Sequence, residues 1–489
     1  MVFSESRSQP SSQLEVHTSQ SRQTQDDSLP VEPSTPSSWT VSPTATVHAG
    51  TYEVFLEPKD NPQEQPLARR WLAVLCISTA SICVTCASSM AGFAEGGVGR
   101  QFHVSKEVTI LGISLFVLGL GLGPIVAGPM SEIYGRSAVY RVSFCFFFVF
   151  MFPVAFAPNI TVYLIFRFLA GYSGAAFLSL AGGSVSDMFS NSEVATPMAV
   201  YTVCPFLGPE IGPVLSGFIN QHWHWRWTYR VLIIWSFIQA VALMLAVPET
   251  CTPVILKWKA QRLRKTTGDP NWYAPIEGEP HVSLAQKLLN NCWKPFYIVL
   301  LDHMLLLLNT WNALILGILY LTFQAFPIIF EGKHGFNMQC TGLTFLGMAT
   351  GMVLGLCTQP YWNRYKDAHG QEEPPAEFRL RMGQVGGVLV PISLFWLAFT
   401  TYRGIYWIVP VLASVPFGTG TYFIFTSSFT YIVVAHRSIA SFALTCNTTM
   451  RTTFAAAFPL FAGQMYDTLG TVGATALLAG MTTAMAPLP

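Results

Sequence analysis

Glu210 and Arg167 are ionisable side chains inside long apolar stretches of the sequence, where a charge is costly unless it faces water or a partner. Burial disfavours the charged form of a carboxyl group, so Glu210 could exchange a proton or meet a cationic ligand. The alternative is a carboxyl group that only hydrogen-bonds within its own helix. Arg167 needs either a water-filled cavity or partners such as backbone carbonyl groups.

Other kinds of reactive site find little support in the sequence. Most of the ten cysteines lie in apolar runs, where a thiol behaves as a small hydrophobic group. Cys83 and Cys86 are three residues apart but lack a second pair elsewhere, so we predict neither a zinc site nor a disulfide framework. The sequence has no phosphate-binding loop, and we expect neither an enzyme nor a bound cofactor.

The composition predicts a membrane protein with several spans. Of 489 residues, 51% are hydrophobic and 11% are charged, whereas a soluble domain carries roughly 25% charged residues. Such a chain has too few charges to cover a water-facing surface of this size. The net charge of +1 creates no field that would attract nucleic acid. Both a soluble enzyme and a nucleic-acid-binding protein are therefore disfavoured.

Apolar stretches near the length needed to cross the hydrocarbon layer recur after Trp71. We predict six spans, a polar loop and six further spans. The predicted spans are 71–93, 108–128, 138–157, 160–186, 196–220, 228–247, 299–325, 341–362, 383–400, 405–433, 440–463 and 471–489. The fold class is thus an all-α membrane protein with twelve transmembrane helices.

Four regions follow from this pattern. They are a disordered Ser/Thr/Pro/Gln-rich cytosolic tail (1–66), a six-helix bundle (67–247), a basic cytosolic linker (248–295) and a second six-helix bundle (296–489). If both termini face the cytosol, the predicted cytosolic segments contain more lysine and arginine than the outside segments do. Because cytosolic loops are usually the more basic ones, this distribution favours an N-in, C-in orientation.

Two six-helix halves joined by a long loop suggest the repeat of a secondary transporter, in which polar residues tend to face a central cavity. We expect substrate contacts from Asp302, Asn309, Asn312, Tyr320 and Gln324 in the seventh span and from Asn447 and Arg451 in the eleventh. Two alternatives stay open: Asp302 at the membrane interface, and Asn447 bonded only to another helix.

Three motifs carry unusual residue types. After the second span, Gly128 and Gly135 permit a tight turn between helices, and Glu132 and Arg136 can pair or cap helix ends. In the fourth span, Arg167 precedes a stripe of small residues that starts at Gly171 and allows close helix packing. The fifth span contains repeated prolines, which bend a helix, and repeated glycines, which admit a neighbouring helix. The motif residues of this span are Gly208, Pro209, Gly212, Pro213 and Gly217.

These motifs resemble those of the major facilitator superfamily. Residues 128–136 resemble its G-x-L-x-D-x-x-G-R loop, with Glu132 in place of Asp, in the form common among fungal multidrug transporters. Residues 167–175 resemble the R-x-x-x-G-x-x-G-A motif of proton-coupled exporters. The fifth span resembles the G-P-x-x-G-P-x-x-G-G antiporter motif, with Ser216 replacing one glycine. The segments around Trp225 and Glu249 are similar to those of fungal drug:proton antiporters.

The resemblance implies a proton-driven exporter of small organic compounds such as drugs, toxins or polyamines, with the major facilitator fold and no cofactor. By analogy, Glu210 and Arg167 would carry proton coupling, and Gly128, Glu132, Gly135 and Arg136 would control the change between states. The implied partners are a small-molecule substrate, protons and the lipid bilayer. We expect a monomer in the plasma membrane, with the vacuole or another internal membrane as the alternative.

Two rival functions remain open at this point. An uptake symporter would have the same fold but the opposite direction of transport. A non-transporting remnant is suggested by the last predicted span, which contains about 19 residues and is near the lower limit for crossing the membrane. We therefore expect a shortened last helix.

Overall fold

The computed structural model describes residues 52–190, 193–278, 297, 302–368, 376–435 and 440–487. Most of the predicted tail and the part of the linker between 279 and 295 lie outside the described residues. Long helices dominate the described part of the chain, and eleven of them are long and apolar enough to cross a membrane.

The first half of the protein contains six long helices, which correspond to the six predicted spans. Spans one to six are Leu67–Phe102, Lys106–Tyr134, Arg136–Ala155, Ile160–Met188, Ala195–His222 and Arg226–Ala246. The fourth span is interrupted after Gly174 and again after Ser179.

The second half begins with four further spans. Spans seven to ten are His303–Phe326, Met338–Trp362, Glu377–Thr400 and Ile408–Ala435. Span seven continues through a π-helical turn at Pro327–Glu331. The chain then enters a last helical stretch, Ala440–Met485.

This last stretch is two spans. A straight helix of 46 residues would be about 69 Å long, more than twice the hydrocarbon thickness. Gly470 interrupts it with a non-helical, positive φ of 68°. The Tyr466 Oη and Thr475 Oγ1 atoms lie 3.1 Å apart, although nine residues of straight helix would separate their Cα atoms by about 13.5 Å. The chain therefore reverses at Gly470, which gives span eleven (440–469) and span twelve (471–485) and confirms the twelve-span fold.

Buried apolar side chains form two large clusters. One cluster draws only on residues between 73 and 247, including Phe144 and Tyr229. The other draws on residues between 305 and 479 and takes in a few side chains of the first half, among them Phe93, Val117 and Phe206. Two bundles that share an interface would produce this packing.

Span one is longer than the sequence predicts. It continues past 93 to Phe102 and stops where His103 adopts a left-handed φ of 52°. Its last turns pack tightly on the loop before span six, since a Cβ atom on Gly97 would lie 2.6 Å from the Cβ atom of Trp225. As a result Glu95, which lies beyond the predicted end of span one, belongs to the helix.

The described part of the linker folds onto the chain that precedes span one. The linker helix, Thr252–Thr267, ends at Gly268 with a φ of 72°. The Val54 amide donates to the Tyr273 carbonyl oxygen at 3.1 Å, and the Tyr273 amide donates to the Tyr52 carbonyl oxygen at 3.0 Å. Val54 is buried together with Ala260 of the linker helix.

Acidification should loosen this docked segment. The Lys259 ammonium group hydrogen-bonds the Glu57 carboxylate at 2.7 Å, and together with Lys59 it lowers the pKa of Glu57 from 4.5 to about 2. A lowered pKa contributes stability above the ordinary pKa, and this stability is lost as the pH falls from 4.5 towards about 2. We expect the exchange protection of the Val54 and Tyr273 amides to hold at neutral pH and to fall across that window.

Hydrogen–deuterium exchange, corrected for the intrinsic pH dependence of exchange, measures this protection. Lys259→Gln should lower the protection at neutral pH and flatten its pH dependence. Equal pH profiles for the two proteins would contradict the prediction.

Candidate functional site

Span five carries a carboxyl group in the interior of the protein. Glu210 is 0% exposed, and neither of its carboxyl oxygens has a hydrogen-bond partner among the described residues. The helix remains continuous across Pro205, Pro209 and Pro213. A buried carboxyl group without partners strongly resists ionisation, which suits a group that holds a proton in one state of the protein.

The glycines of span five allow close helix packing, as the sequence predicts. A Cβ atom on Gly208 would lie 2.9 Å from the backbone nitrogen of Cys86, and one on Gly212 would lie 2.9 Å from the Cys86 carbonyl oxygen. A Cβ atom on Gly217 would lie 2.9 Å from the carbonyl oxygen of Met338 in span eight. Span five thus packs against span one in its own half and against span eight in the other half.

Arg167 is held by backbone carbonyl groups. Its guanidinium group donates to the carbonyl oxygens of Gly112 at 2.8 Å, Ala87 at 2.9 Å and Ser88 at 3.3 Å, and it lies 4.4 Å from the ring centroid of Phe116. These bonds join span four to spans one and two. This is the alternative in which backbone carbonyl groups are the partners of the arginine. A direct role for Arg167 in proton transfer therefore stays a prediction.

One face of span seven meets span one and span eleven. The Tyr320 hydroxyl and the Ser88 hydroxyl are 2.8 Å apart. The Asn447 side-chain amide donates to the Asn309 side-chain oxygen at 2.7 Å. Both asparagines are 0% exposed. The structure therefore brings Tyr320 to a contact between the two halves and Asn309 to a contact within its own half. Substrate contacts by Asn309, Asn312, Tyr320 and Gln324 stay predictions.

Glu95 is a buried carboxylate that the sequence analysis missed. The Gln324 side-chain amide donates to both Glu95 carboxyl oxygens, at 2.8 Å and 3.0 Å. This contact joins span one to span seven. The available signal was an acidic residue two positions past the end of the first predicted span, 71–93.

Arg451 is surrounded by aromatic rings. It is 5% exposed, and its guanidinium carbon lies 5.0 to 5.7 Å from the ring centroids of Phe206, Phe425 and Phe429. Phe206 belongs to span five and the other two rings belong to span ten. Arg451 thus lies where side chains of the two halves meet, and its contact with a substrate stays a prediction.

Asp302 differs from its predicted place in the substrate cavity. It is the N-cap of span seven, where its carboxylate accepts hydrogen bonds from the backbone amides of Met304 at 3.0 Å and Leu305 at 3.1 Å. A short acidic side chain is favoured at this position because the first amides of a helix lack helical partners. Asp302 is therefore a helix cap.

The turn between spans two and three is built around Gly135. Its φ of 96° favours glycine, and a Cβ atom there would lie 2.8 Å from the carboxyl carbon of Glu249. The Glu249 carboxylate accepts hydrogen bonds from the amides of Arg136 at 2.9 Å and Ser137 at 3.2 Å. Glu249 thus caps span three from 113 residues away.

Two expectations for this loop need correction. The Arg136 guanidinium group forms an ion pair with Asp187 at 3.0 Å, rather than the pairing with Glu132 considered from their spacing. Gly128 lies within the helix of span two, and a Cβ atom there would meet nothing within 4 Å. Only Gly135 makes the turn. Nothing near Gly135 or Arg136 in the sequence indicates Asp187 or Glu249 as partners, because both pairings depend on how distant helices pack.

Removing the Glu249 cap should destabilise the protein. Glu249→Ala leaves the amides at the start of span three without their acceptor, which we expect to lower the free energy of unfolding by about 1–2 kcal/mol. Thermal unfolding of the purified protein measures the loss. Glu193→Ala is the control, since it removes only an exposed ion pair with Arg70 worth about 0–1 kcal/mol. Equal losses for the two variants would contradict the assigned cap.

Comparison with known proteins supports these assignments of helices and motifs. Residues 77–459 match the family model of the Major Facilitator Superfamily. The chain belongs to this superfamily. The match covers most of both halves, from span one into span eleven.

Several relatives within the superfamily are similar over most of their length. The efflux pump atB of Aspergillus terreus is 46% identical over 381 residues, which cover 76% of this chain and 79% of that one. The probable drug/proton antiporter YHK8 of Saccharomyces cerevisiae is 36% identical over 443 residues, which cover 89% and 86%.

Solved structures show the same superfamily fold. The human organic anion transporter MFSD10 superposes with a TM-score of 0.58 at 15% identity, over 87% of this chain and 100% of that one. The xylose transporter XylE from E. coli, in a partially occluded inward-open conformation, superposes with a TM-score of 0.61 at 14% identity, over 86% of this chain and 96% of that one. At these identities the likeness concerns the fold alone.

Proposed function

We propose that this major facilitator protein exports small organic compounds in exchange for protons. The observation that carries the proposal is Glu210, a fully buried carboxyl group without a hydrogen-bond partner in the described part of the chain. It lies in the helix whose motif resembles that of antiporters. The names of the relatives, efflux pumps and a drug/proton antiporter, support the direction of transport.

The energy for export would come from the proton gradient and require no cofactor. In an alternating-access cycle, the two halves tilt about a central site. Glu210 would be ionised where it meets water and protonated where the surrounding helices exclude water. The change of charge would favour one tilt over the other, because a buried ionised carboxylate is costly.

Contacts between the halves are suited to such movement. Spans five and eight meet through small residues, since a Cβ atom on Gly342 would lie 2.6 Å from the carbonyl oxygen of Pro213. Spans two and eleven meet where the Thr449 hydroxyl donates to the Gly121 carbonyl oxygen at 2.9 Å. Helices packed through small residues have few long side chains to interlock, so they can shift against each other.

Glu95 offers a second place for coupling. Its carboxyl group accepts two hydrogen bonds from Gln324 across the halves, and a protonated carboxyl group would accept less well. Protonation of Glu95 would therefore weaken a contact that must break when spans one and seven separate. The ion pair of Arg136 with Asp187 joins the start of span three to span four and would hold the first half rigid during this movement.

We further propose that the protein acts as a monomer in the plasma membrane, with both termini in the cytosol. The central site of each twelve-span chain is formed by spans of that same chain, so it needs no second copy. Candidate substrates are drugs, toxins and polyamines, as the resemblance implies.

Transport in vesicles tests the direction and the coupling. We would express the protein in a fungal host that lacks its own drug pumps and prepare inside-out plasma-membrane vesicles. An acidic interior should drive accumulation of exported compounds, and a protonophore should abolish it. Accumulation only in right-side-out vesicles with an acidic exterior would indicate uptake symport instead. Flux that ignores the pH difference would refute proton coupling.

A further inference from the structure

Arg451 is a buried cation without a counter-ion in the described part of the chain. It is 5% exposed, it takes part in none of the ion pairs among the described residues, and its Nε atom has no hydrogen-bond partner there. An unpaired charge in a membrane protein is costly and usually marks a functional site. We infer that Arg451 binds the carboxylate of the transported compound, an inference that rests on the proposed transport function and names its substrate class.

The aromatic rings around Arg451 leave its donors free for an oxygen ligand. Phe206 and Phe425 stack with their centroids 4.4 Å apart and their planes inclined by 17°. The guanidinium carbon lies 5.6 and 5.7 Å from these two centroids and 5.0 Å from that of Phe429. Ring faces stabilise a cation without accepting conventional hydrogen bonds from its N–H groups. The guanidinium group can therefore offer a carboxylate the planar, two-pronged contact that arginine prefers.

Unpartnered amides lie on span seven, which a hydrogen bond joins to the helix of Arg451. Asn447 precedes Arg451 by one helical turn and donates to Asn309 at 2.7 Å. The Asn309 side-chain nitrogen and both side-chain polar atoms of Asn312 have no partner among the described residues, and both residues are 0% exposed. Buried amide groups are nearly always hydrogen-bonded. The N–H groups of Asn309 and Asn312 are additional donors for a carboxylate, and both belong to span seven, which the Asn447 bond joins to span eleven.

The same features disfavour a cationic compound at this place. A cation beside Arg451 would be repelled by the guanidinium charge, and no described carboxylate pairs with Arg451 to cancel it. The phenylalanine rings suit the apolar body of a compound whose carboxylate meets the arginine. The substrate class is thus an organic carboxylate with an aromatic or other apolar body, rather than a cation such as a polyamine.

Equilibrium binding to the purified full-length protein in detergent tests this inference. The probe is tritiated 2-naphthoate at pH 7, with 2-naphthamide and 2-naphthylmethylammonium as competitors of similar shape. We expect 2-naphthoate to bind about tenfold or more tightly than the amide, and the ammonium compound to bind most weakly. Arg451→Gln should weaken naphthoate binding about tenfold or more and leave amide binding within roughly twofold.

Two further variants control for folding and for loss of an arginine as such. Arg451→Lys keeps the charge and should retain a preference for naphthoate over the amide. This variant tests the inference even if Arg451→Gln fails to fold. Arg230→Gln removes another arginine stacked on rings, 4.9 Å from Trp227 and 5.6 Å from Phe156, and should leave naphthoate binding unchanged.

The inference is overturned if the wild type does not bind naphthoate or binds it no more tightly than the amide. It is also overturned if Arg451→Gln weakens both probes equally. These measurements need no proton gradient and no transport, so their failure is separate from a failure of proton-coupled export in vesicles.

Discussion

Glu210→Gln is expected to abolish proton-driven accumulation of substrate while leaving the fold intact. A pH difference of one unit stores about 1.4 kcal/mol per proton, which maintains about a tenfold substrate gradient in one-for-one exchange. A glutamine cannot carry the proton, so the variant should reach no gradient at all. The fold should tolerate the change, because the two carboxyl oxygens have no partners among the described residues to lose and glutamine has nearly the same shape.

Two measurements in reconstituted vesicles distinguish loss of coupling from loss of binding. Accumulation against a gradient should vanish in Glu210→Gln, whereas exchange of labelled for unlabelled substrate at equal pH should persist. Glu107→Gln is the control, since Glu107 is an exposed carboxylate at the start of span two, and it should transport as the wild type does. Wild-type accumulation by Glu210→Gln would remove Glu210 from the coupling mechanism.

Gly171→Ala is expected to prevent normal packing of span four against span two. The added Cβ atom would lie 2.8 Å from the carbonyl carbon of Phe116 and 3.0 Å from its Cα atom. These are backbone atoms, so the two helices would have to separate. Separation would also pull Arg167 from the Gly112 carbonyl oxygen, now 2.8 Å away. Overpacking of this kind costs about 1–3 kcal/mol, and the lost hydrogen bond adds to that cost.

The yield of monodisperse protein and its unfolding temperature measure this effect. Gly128→Ala is the matched control, because a Cβ atom there meets nothing within 4 Å although the glycine belongs to the same pair of packed helices and to a recognised motif. Alanine at that helical position should be neutral or stabilise by about 0.5–1 kcal/mol. If Gly171→Ala and Gly128→Ala lowered the yield and the unfolding temperature equally, the close contact of Gly171 with span two would not explain the loss of stability.

Glycine positions illustrate how far a motif alone can lead. The spacing of Gly208 and Gly212 predicted a close helix neighbour, and span one is that neighbour. Gly128 and Gly135 had the same apparent meaning in the sequence, yet only Gly135 has a positive φ and a filled Cβ position. A motif identifies glycines, but the neighbour that makes a glycine necessary comes from elsewhere in the chain.

The membrane spans could be predicted from the sequence alone, because the thickness of the hydrocarbon layer requires a long local run of apolar residues. The reversal at Gly470 agrees with the predicted boundary between the last two spans. Local patterns also indicated Glu210 and Arg451, since an ionisable residue in an apolar run stands out without any knowledge of the fold.

Only the tertiary structure decided which of these groups have partners. Arg167 meets three backbone carbonyl groups, whereas Glu210 and Arg451 meet no opposite charge among the described residues. Glu95 belongs to span one because that helix continues past its predicted end to Phe102. Asp302 caps a helix although it lies among apolar residues in the sequence, as Asn309 does. Hydropathy is a property of neighbouring residues, but a side chain's partners depend on how helices far apart in sequence pack.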